Sequence, residues 1–270
     1  MSVLDEILSV KRDEVTVLHR PQTVDLLRKA ALYAPPTRDF TAALRRDDGT
    51  LAVISEIKRR SPSKGELAPD LDAAATARRY EQGGASAIST LTDHAFFGGT
   101  VEDLQSVSAA VGLPVLRKDF TIDEVQVYET RAIGADAILL ILAALPDDAI
   151  VCDLQDLARS LGLAVLMEAH DEAELDRALT LEPGIVGVNA RNLSTFNERL
   201  DVVADLAARI PPDVIAVAES AIRSPEDAHV MAEAGFDAVL VGEALVRSPD
   251  PAQLVGAMRD VKVSKRGGSS

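Results

Sequence analysis

The chain has 270 residues, 47% of them hydrophobic, and carries a formal net charge of −15. That apolar share excludes a wholly disordered chain, and the charge sets the bulk field against nucleic acid and anionic membranes. A single cysteine, Cys152, excludes an internal disulfide, and no twin-cysteine or His-Glu-His spacing suggests a metal site.

The N-terminus, Met1-Ser2-Val3-Leu4-Asp5-Glu6, carries acids early, and no apolar run is long enough for a signal peptide or a bilayer span. A cytoplasmic location is therefore the expectation. Residues Val3–Leu18 and Val24–Leu32 have helical periodicity, and Ala34-Pro35-Pro36 breaks the second helix. Residues 1–50 are expected to be a helical extension packed on the domain that begins at residue 51.

From residue 51 one unit repeats: a short apolar strand, a polar turn, an amphipathic helix, then another strand. The predicted strands are Leu51–Lys58, Ala85–Thr90, Pro114–Asp119, Ala137–Leu142, Ala164–Ala169, Ile185–Asn189, Val214–Glu219 and Ala238–Val241. Thr100 with Asp103, and Thr121 with Glu124, predict capping boxes, and Ser224-Pro225 predicts an N-cap followed by proline in the first turn. Cys152 falls in a predicted helix and is expected to be a buried structural thiol. Strands that alternate with helices form right-handed βαβ units, and eight of them favour closure. An open doubly wound sheet would show a glycine fingerprint after its first strand, where this chain has Lys58-Arg59-Arg60-Ser61-Pro62-Ser63-Lys64-Gly65. The expected class is α/β, a (β/α)8 TIM barrel over residues 51–262. An N-terminal helical extension precedes it and a disordered tail, 263–270, comes after it.

Barrels of this kind work at the C-terminal ends of their strands. Strand one ends Glu56-Ile57-Lys58, and alternation places Glu56 and Lys58 on the face of Ala52 and Ile54. Strand three ends Leu116-Arg117-Lys118-Asp119, with Lys118 sharing the face of Leu116. Strands five, six and seven end in Glu168, Asn189 and Glu219-Ser220. Together these residues predict one ring in which three carboxylates and two ammonium groups perturb one another's proton affinity, as proton-transfer chemistry requires. No histidine is expected at an interior strand end, so a Ser-His-Asp device has no support. Lys58, Arg59, Arg60 and Lys64, within seven residues, could reverse the negative field locally for a phosphorylated ligand. The turns after strands seven and eight, Ser220-Ala221-Ile222 and Gly242-Glu243-Ala244, are where barrels often hold phosphate, and Arg191 could add charge nearby.

Several motifs in register resemble one family. They are Ile54-Ser55-Glu56-Ile57-Lys58-Arg59-Arg60-Ser61-Pro62-Ser63-Lys64-Gly65, Leu91-Thr92 with Phe96-Phe97-Gly98-Gly99, Pro114-Val115-Leu116-Arg117-Lys118-Asp119-Phe120, and Gly187-Val188-Asn189-Ala190-Arg191-Asn192-Leu193. The chain resembles the indole-3-glycerol phosphate synthases from about residue 51 to 247, and its helical extension is also similar to theirs. The resemblance implies a lyase of tryptophan biosynthesis with no cofactor and no metal. Its reaction converts 1-(2-carboxyphenylamino)-1-deoxyribulose 5-phosphate to indole-3-glycerol phosphate, CO2 and water. It implies that Lys118 is the general acid, that Glu168 assists dehydration, and that Lys58 contacts the substrate carboxylate. Glu56 and Asn189 would orient these groups, with Glu219 and Ser220 in the same pocket. Phosphate would lie against Arg191, Ser61, Lys58 and the backbone near Gly242, and Leu91 and Phe97 would flank the anthranilate ring. The family usually has glycine where this chain has Ala221, and Glu243 must point away from the phosphate. The expected partner is a phosphorylated small molecule, with no nucleic acid, no membrane and a monomeric chain.

Two other readings compete. A phosphoribosylanthranilate isomerase-like enzyme would need a Cys and an Asp at strand ends. A non-catalytic sugar-phosphate-binding barrel would have lost Lys118 or Glu168.

Overall fold

A computed structural model describes residues 2–45, 48–191, 200–264 and 266. Eight parallel strands form a closed barrel: β1 (Ala52–Ile57), β2 (Ala87–Leu91), β3 (Val115–Lys118), β4 (Ala137–Ile141), β5 (Ala164–Ala169), β6 (Ile185–Asn189), β7 (Ile215–Glu219) and β8 (Ala238–Val241). Each pairs with its neighbour in sequence, and β8 returns to β1, with Ala52 opposite Ala238. The predicted strands all form, with ends displaced by one or two residues where strand gives way to turn.

Alternation along each strand divides the core into two layers. Ala52, Ile54, Leu116, Leu139, Leu166, Val217 and Leu240 fill the barrel interior. Val53, Ile88, Val115, Ile138, Val165, Val186 and Val239 face the surrounding helices. The apolar interior ends below the C-terminal rim, so the polar residues beyond it are held above a packed floor.

Helices α1 (Val3–Leu18), α2 (Pro21–Tyr33) and α3 (Phe40–Leu44) precede the barrel. A capping box between Ser2 and Asp5 starts α1, which buries Ile7, Leu8, Lys11 and Val15. Phe40 and Leu44 of α3 join the interior cluster at the opposite end of the barrel. Between them, α2 packs along α4 (Glu124–Ala132), the helix between β3 and β4. No helix among the described residues is long and apolar enough to cross a membrane.

The capping box at Thr100–Asp103 forms as expected, and the expected N-cap at Ser224 forms with Asp227 completing a capping box. Thr121 does not cap α4. It is buried, and Asp123 takes the cap by accepting a hydrogen bond from Val125 N. Asp123 immediately precedes the first helical residue, where its carboxylate reaches an open N–H of the first turn. Cys152 lies in α5 (Asp148–Ser160), as expected, but it is half-buried rather than enclosed. The tail also differs from a disordered segment where it is described. Val263 N donates to Gly49 O, Ser264 N to Ala232 O, and the Arg266 guanidinium pairs with Asp237 at 2.8 Å. Residues 265 and 267–270 lie outside the described residues.

Candidate active site

Strand direction brings the predicted ring together. Glu56, Lys58, Leu91, Phe97, Lys118, Glu168, Asn189, Arg191, Glu219, Ser220, Ala221, Gly242 and Glu243 all line one cavity at the C-terminal mouth. Lys118 Nζ lies 2.9 Å from Glu168 Oε2 and 3.4 Å from Glu219 Oε2, and Lys58 Nζ lies 2.7 Å from Glu56 Oε1. Asn189 Nδ2 donates to Glu168 Oε1 at 3.2 Å, while its own Oδ1 accepts from Arg191 N at 3.0 Å. The amide therefore couples the end of β6 to the acid on β5.

Two glycines make room for this ring. A Cβ on Gly187 would collide with Glu219 Oε1, and one on Gly242 would collide with Glu56 Oε1 and press on Lys58 Nζ. Any larger residue at either position would displace a carboxylate.

The electrostatics divide the acids into different states. Burial works against the Lys118 ammonium, but the carboxylates of Glu168, Glu219 and Glu56 outweigh it and hold the pKa well above the ordinary lysine value. Burial also opposes ionisation of Glu168, yet Lys118 and His170 keep it well below the ordinary carboxylate range. Glu56 is likewise lowered, with Lys58 and Lys118 overcoming its burial. Glu219 goes the other way. Burial and the adjacent Glu168 charge push it well above the usual range, so it retains a proton to higher pH than its neighbours. The mouth thus holds ionised acids, a protonated acid and an ammonium within contact of one another. Such groups can deliver and accept protons at one bound molecule.

An apolar wall faces this ring. Phe97 and Phe120 place their ring centroids 6.3 Å apart at an interplanar angle of 33°, and Leu91, Leu139 and Ile141 continue the surface. A planar aromatic substrate part would bury its face there.

Some expectations change. Ser61 does not line the cavity. It sits in a short hairpin, Arg60–Ser61 against Gly65–Glu66, where its hydroxyl accepts from Lys64 N. Only Lys58 of the basic segment reaches the mouth. Arg59 is held by Asp103 and Leu71 O, and Arg60 donates to His94 O and Ala95 O. Two of the cations therefore secure loops, and the local field comes from Lys58, Lys118, Arg191 and Arg223 in the lining. A histidine is present after all: His170 directly follows β5, with Nε2 3.1 Å from Glu168 Oε1. It escaped the strand pattern because the turn, rather than the strand pleat, aims it. Asp119, Phe120, Ile222 and Arg223 also line the cavity, although strand alternation and motif resemblance did not mark them as site residues. Asn192 and Leu193 of the sequence motif lie outside the described residues. Among the described residues, no group of three or more His, Cys, Asp or Glu could hold a metal ion.

The turn after β7 is unusual. Ser220 and Ala221 both take left-handed backbone conformations, with φ of 65° and 60°. Glu243, at the start of α7 (Glu243–Arg247), directs its carboxylate to Arg247 Nε at 3.3 Å. A left-handed conformation costs an alanine about 1–2 kcal/mol, against about 0.5–1 kcal/mol of extra entropy loss for glycine. Ala221→Gly should therefore stabilise the fold by roughly 0.5–1 kcal/mol. A urea unfolding midpoint that rises at unchanged slope is the expected result, and a lower midpoint would contradict it.

Fold and site together define a (β/α)8 barrel whose C-terminal mouth sets clustered carboxylates and ammonium groups beside an apolar wall. The family model for indole-3-glycerol phosphate synthase matches residues 4–258. The chain belongs to that family. An indole-3-glycerol phosphate synthase from Aromatoleum aromaticum is 51% identical over 243 residues, covering 88% of this chain and 92% of that protein. One from Pelodictyon phaeoclathratiforme is 48% identical and covers 89% and 94%, and one from an Arthrobacter species is 46% identical with 89% of each covered. Among solved structures, a thiamine phosphate pyrophosphorylase from Pyrococcus furiosus superposes with a TM-score of 0.59 over 78% of this chain and 95% of that one. At 16% identity that likeness shows the barrel fold alone. The isomerase-like reading lacks its catalytic pair, because the sole cysteine sits in α5.

Proposed function

We propose that this chain closes the indole ring of indole-3-glycerol phosphate, taking 1-(2-carboxyphenylamino)-1-deoxyribulose 5-phosphate to product, CO2 and water in tryptophan biosynthesis. The observation that carries the reading is Lys118, a half-buried ammonium paired with Glu168 and Glu219 at the edge of an aromatic wall. Lys118 protonates the substrate carbonyl oxygen as the ring carbon attacks, and the ionised Glu168 takes part in the later dehydration. Glu219, carrying a proton, is placed to share it with this pair. Lys58, held by Glu56, meets the substrate carboxylate, and Asn189 orients Glu168. Leu91 and Phe97 flank the anthranilate ring. Phosphate lies against Arg191 and the backbone of Ser220, Ala221 and Gly242. Each positioned acid or base typically contributes about 10²–10⁴-fold, and holding the carbonyl carbon against the ring carbon supplies much of the remaining acceleration.

The substrate is a phosphorylated small molecule. The ring of site residues comes from one barrel, which supports a chain that works as a monomer. The −15 charge supports an enzyme without nucleic acid or membrane partners, and a cytoplasmic location follows from that reading. The test is a fluorescence assay of purified protein with the carboxyphenylamino deoxyribulose phosphate and no added metal. An indole signal that grows with time is expected. Substrate binding without any indole product would overturn the assignment in favour of a binding-only barrel.

A further inference from the structure

Glu168 has a second charged neighbour that the ring-closing roles leave unexplained. His170 is buried, with its side chain 7% exposed, and its two ring nitrogens face two carboxylates. Nε2 lies 3.1 Å from Glu168 Oε1, and Nδ1 lies 3.0 Å from Glu174 Oε2. The Nε2 approach is oblique, an ion-pair contact rather than an aligned hydrogen bond, since Nε2 has no partner that meets hydrogen-bond geometry. The Nδ1 contact has hydrogen-bond geometry.

Local sequence explains how Glu174 arrives there. Asp171 caps α6 (Glu172–Thr180) by accepting from Glu174 N, and Glu174 turns back so that Oε2 also accepts from His170 N at 2.9 Å. The helix start therefore fixes both the backbone and the ring of His170. Among the described residues, the charged groups facing the imidazole are Glu168 from β5 and Glu174 from α6. Beyond Glu168 stand Lys118 from β3 and Glu219 from β7, while β6 contributes the uncharged Asn189.

We propose that His170 is a positioning residue for Glu168, holding Oε1 from behind while Oε2 faces Lys118, with Glu174 as the anchor that fixes the imidazole through its backbone and its ring. The proposal rests on the reading of Glu168 as a working group in dehydration. Burial disfavours the imidazolium, but Glu168 and Glu174 reverse this and raise His170 to about 10. At neutral pH the ring is thus a fixed cation. It opposes protonation of Glu168 and so keeps the proton on Glu219. Without it, Lys118 would be the one cation paired with Glu168 among the described residues, and Glu168 would compete with Glu219 for a proton.

The test measures kcat and KM against pH for the wild type and for His170→Gln, Glu174→Gln, Glu174→Asp and Glu168→Gln. For His170→Gln, kcat should fall by roughly 10–100-fold, below the full loss of an acid–base group, while KM stays within about threefold. The acidic limb of its kcat profile should move to higher pH, because Glu168 has lost a cation that kept it ionised. In Glu174→Gln the imidazole loses one of its two carboxylates and titrates at lower pH. The cation then disappears as pH rises, and a new alkaline limb should appear. Glu174→Asp keeps the charge and should lack that limb. A role in folding alone would move none of these limbs. Should His170→Gln fail to fold, the isosteric Glu174→Gln profile decides. If Glu168→Gln retains wild-type turnover, the reading of Glu168 fails and this proposal with it. If Glu168→Gln is inactive while both His170→Gln and Glu174→Gln keep the wild-type pH profile, the assignment of His170 alone is overturned.

Discussion

Lys118→Ala should lower kcat by roughly 10³-fold or more, near the upper range for a positioned general acid. The size follows from the surroundings. Lys118 contacts both Glu168 and Glu219, whereas Lys58 is paired with Glu56 on the other side of the mouth. Among the described residues, no other ammonium forms an ion pair with those two acids. Alanine would also leave Glu168 and Glu219 without their shared cation, so one would bind a proton more firmly and the base for dehydration would weaken. Two steps of the reaction suffer from one substitution. Single-turnover fluorescence with saturating substrate isolates the chemical step. Turnover above a tenth of wild type would remove Lys118 from the acid role. The backbone proposed to hold phosphate is untouched, so affinity for the product should change by less than about tenfold, a modest fraction of the loss in turnover.

Lys11→Met should destabilise the fold by about 3–5 kcal/mol, the usual cost of removing one partner from a buried ion pair. Lys11 belongs to α1, yet its side chain is only 2% exposed and its ammonium lies 2.8 Å from Asp119 and 3.3 Å from Asp93. Both acids are buried at strand-end loops, and Asp119 directly follows Lys118. Burial raises the Asp119 carboxyl, but Arg117 and Lys11 overcome it and bring the pKa down to about 2. A depressed carboxyl contributes stability above its unfolded pKa and loses it as pH falls through the folded value. In the wild type that loss spans from the ordinary aspartate range down to about 2. In the variant the native pKa rises, so acid unfolding should begin at higher pH. Denaturant midpoints at neutral and acidic pH measure both effects. Adding Asp93→Asn should restore part of the loss, since a buried unpaired charge is removed. A variant as stable as wild type at both pH values would show that the clasp contributes nothing.

The barrel and most of the ring were legible in the sequence for simple reasons. Short apolar strands separated by capped helices admit few topologies, and period-two alternation assigns Glu56, Lys58, Lys118, Glu168 and Glu219 to the interior once the barrel closes. What escaped depends on contacts that no local pattern encodes. Lys11 meets Asp119 across more than a hundred residues of chain, and on a helical wheel it is a lysine amid apolar positions. His170 is aimed by the turn into α6, beyond the last residue of the strand pleat. Arg59 and Arg60 looked like ligand-binding charge because sequence shows their density and not their partners. Ser61 was carried into the phosphate site by motif resemblance, whereas the hairpin turns its hydroxyl to a backbone amide. The left-handed turn at Ser220 and Ala221 is hinted at only by the family resemblance, which implies glycine where this chain has Ala221.

The pairing of β1 with β8 also has a temporal side. During synthesis β1 emerges early, and β2 can cover one of its edges soon afterwards. Its other edge stays open until Ala238–Val241 has left the ribosome. The bridge between Thr50 and Lys262 forms later still, because Lys262 follows the last strand. An unpaired parallel edge is a site for association with other chains, and non-local pairing is slow to form. The closed barrel is thus a late product of translation: all eight strands must be made before the first one is sealed.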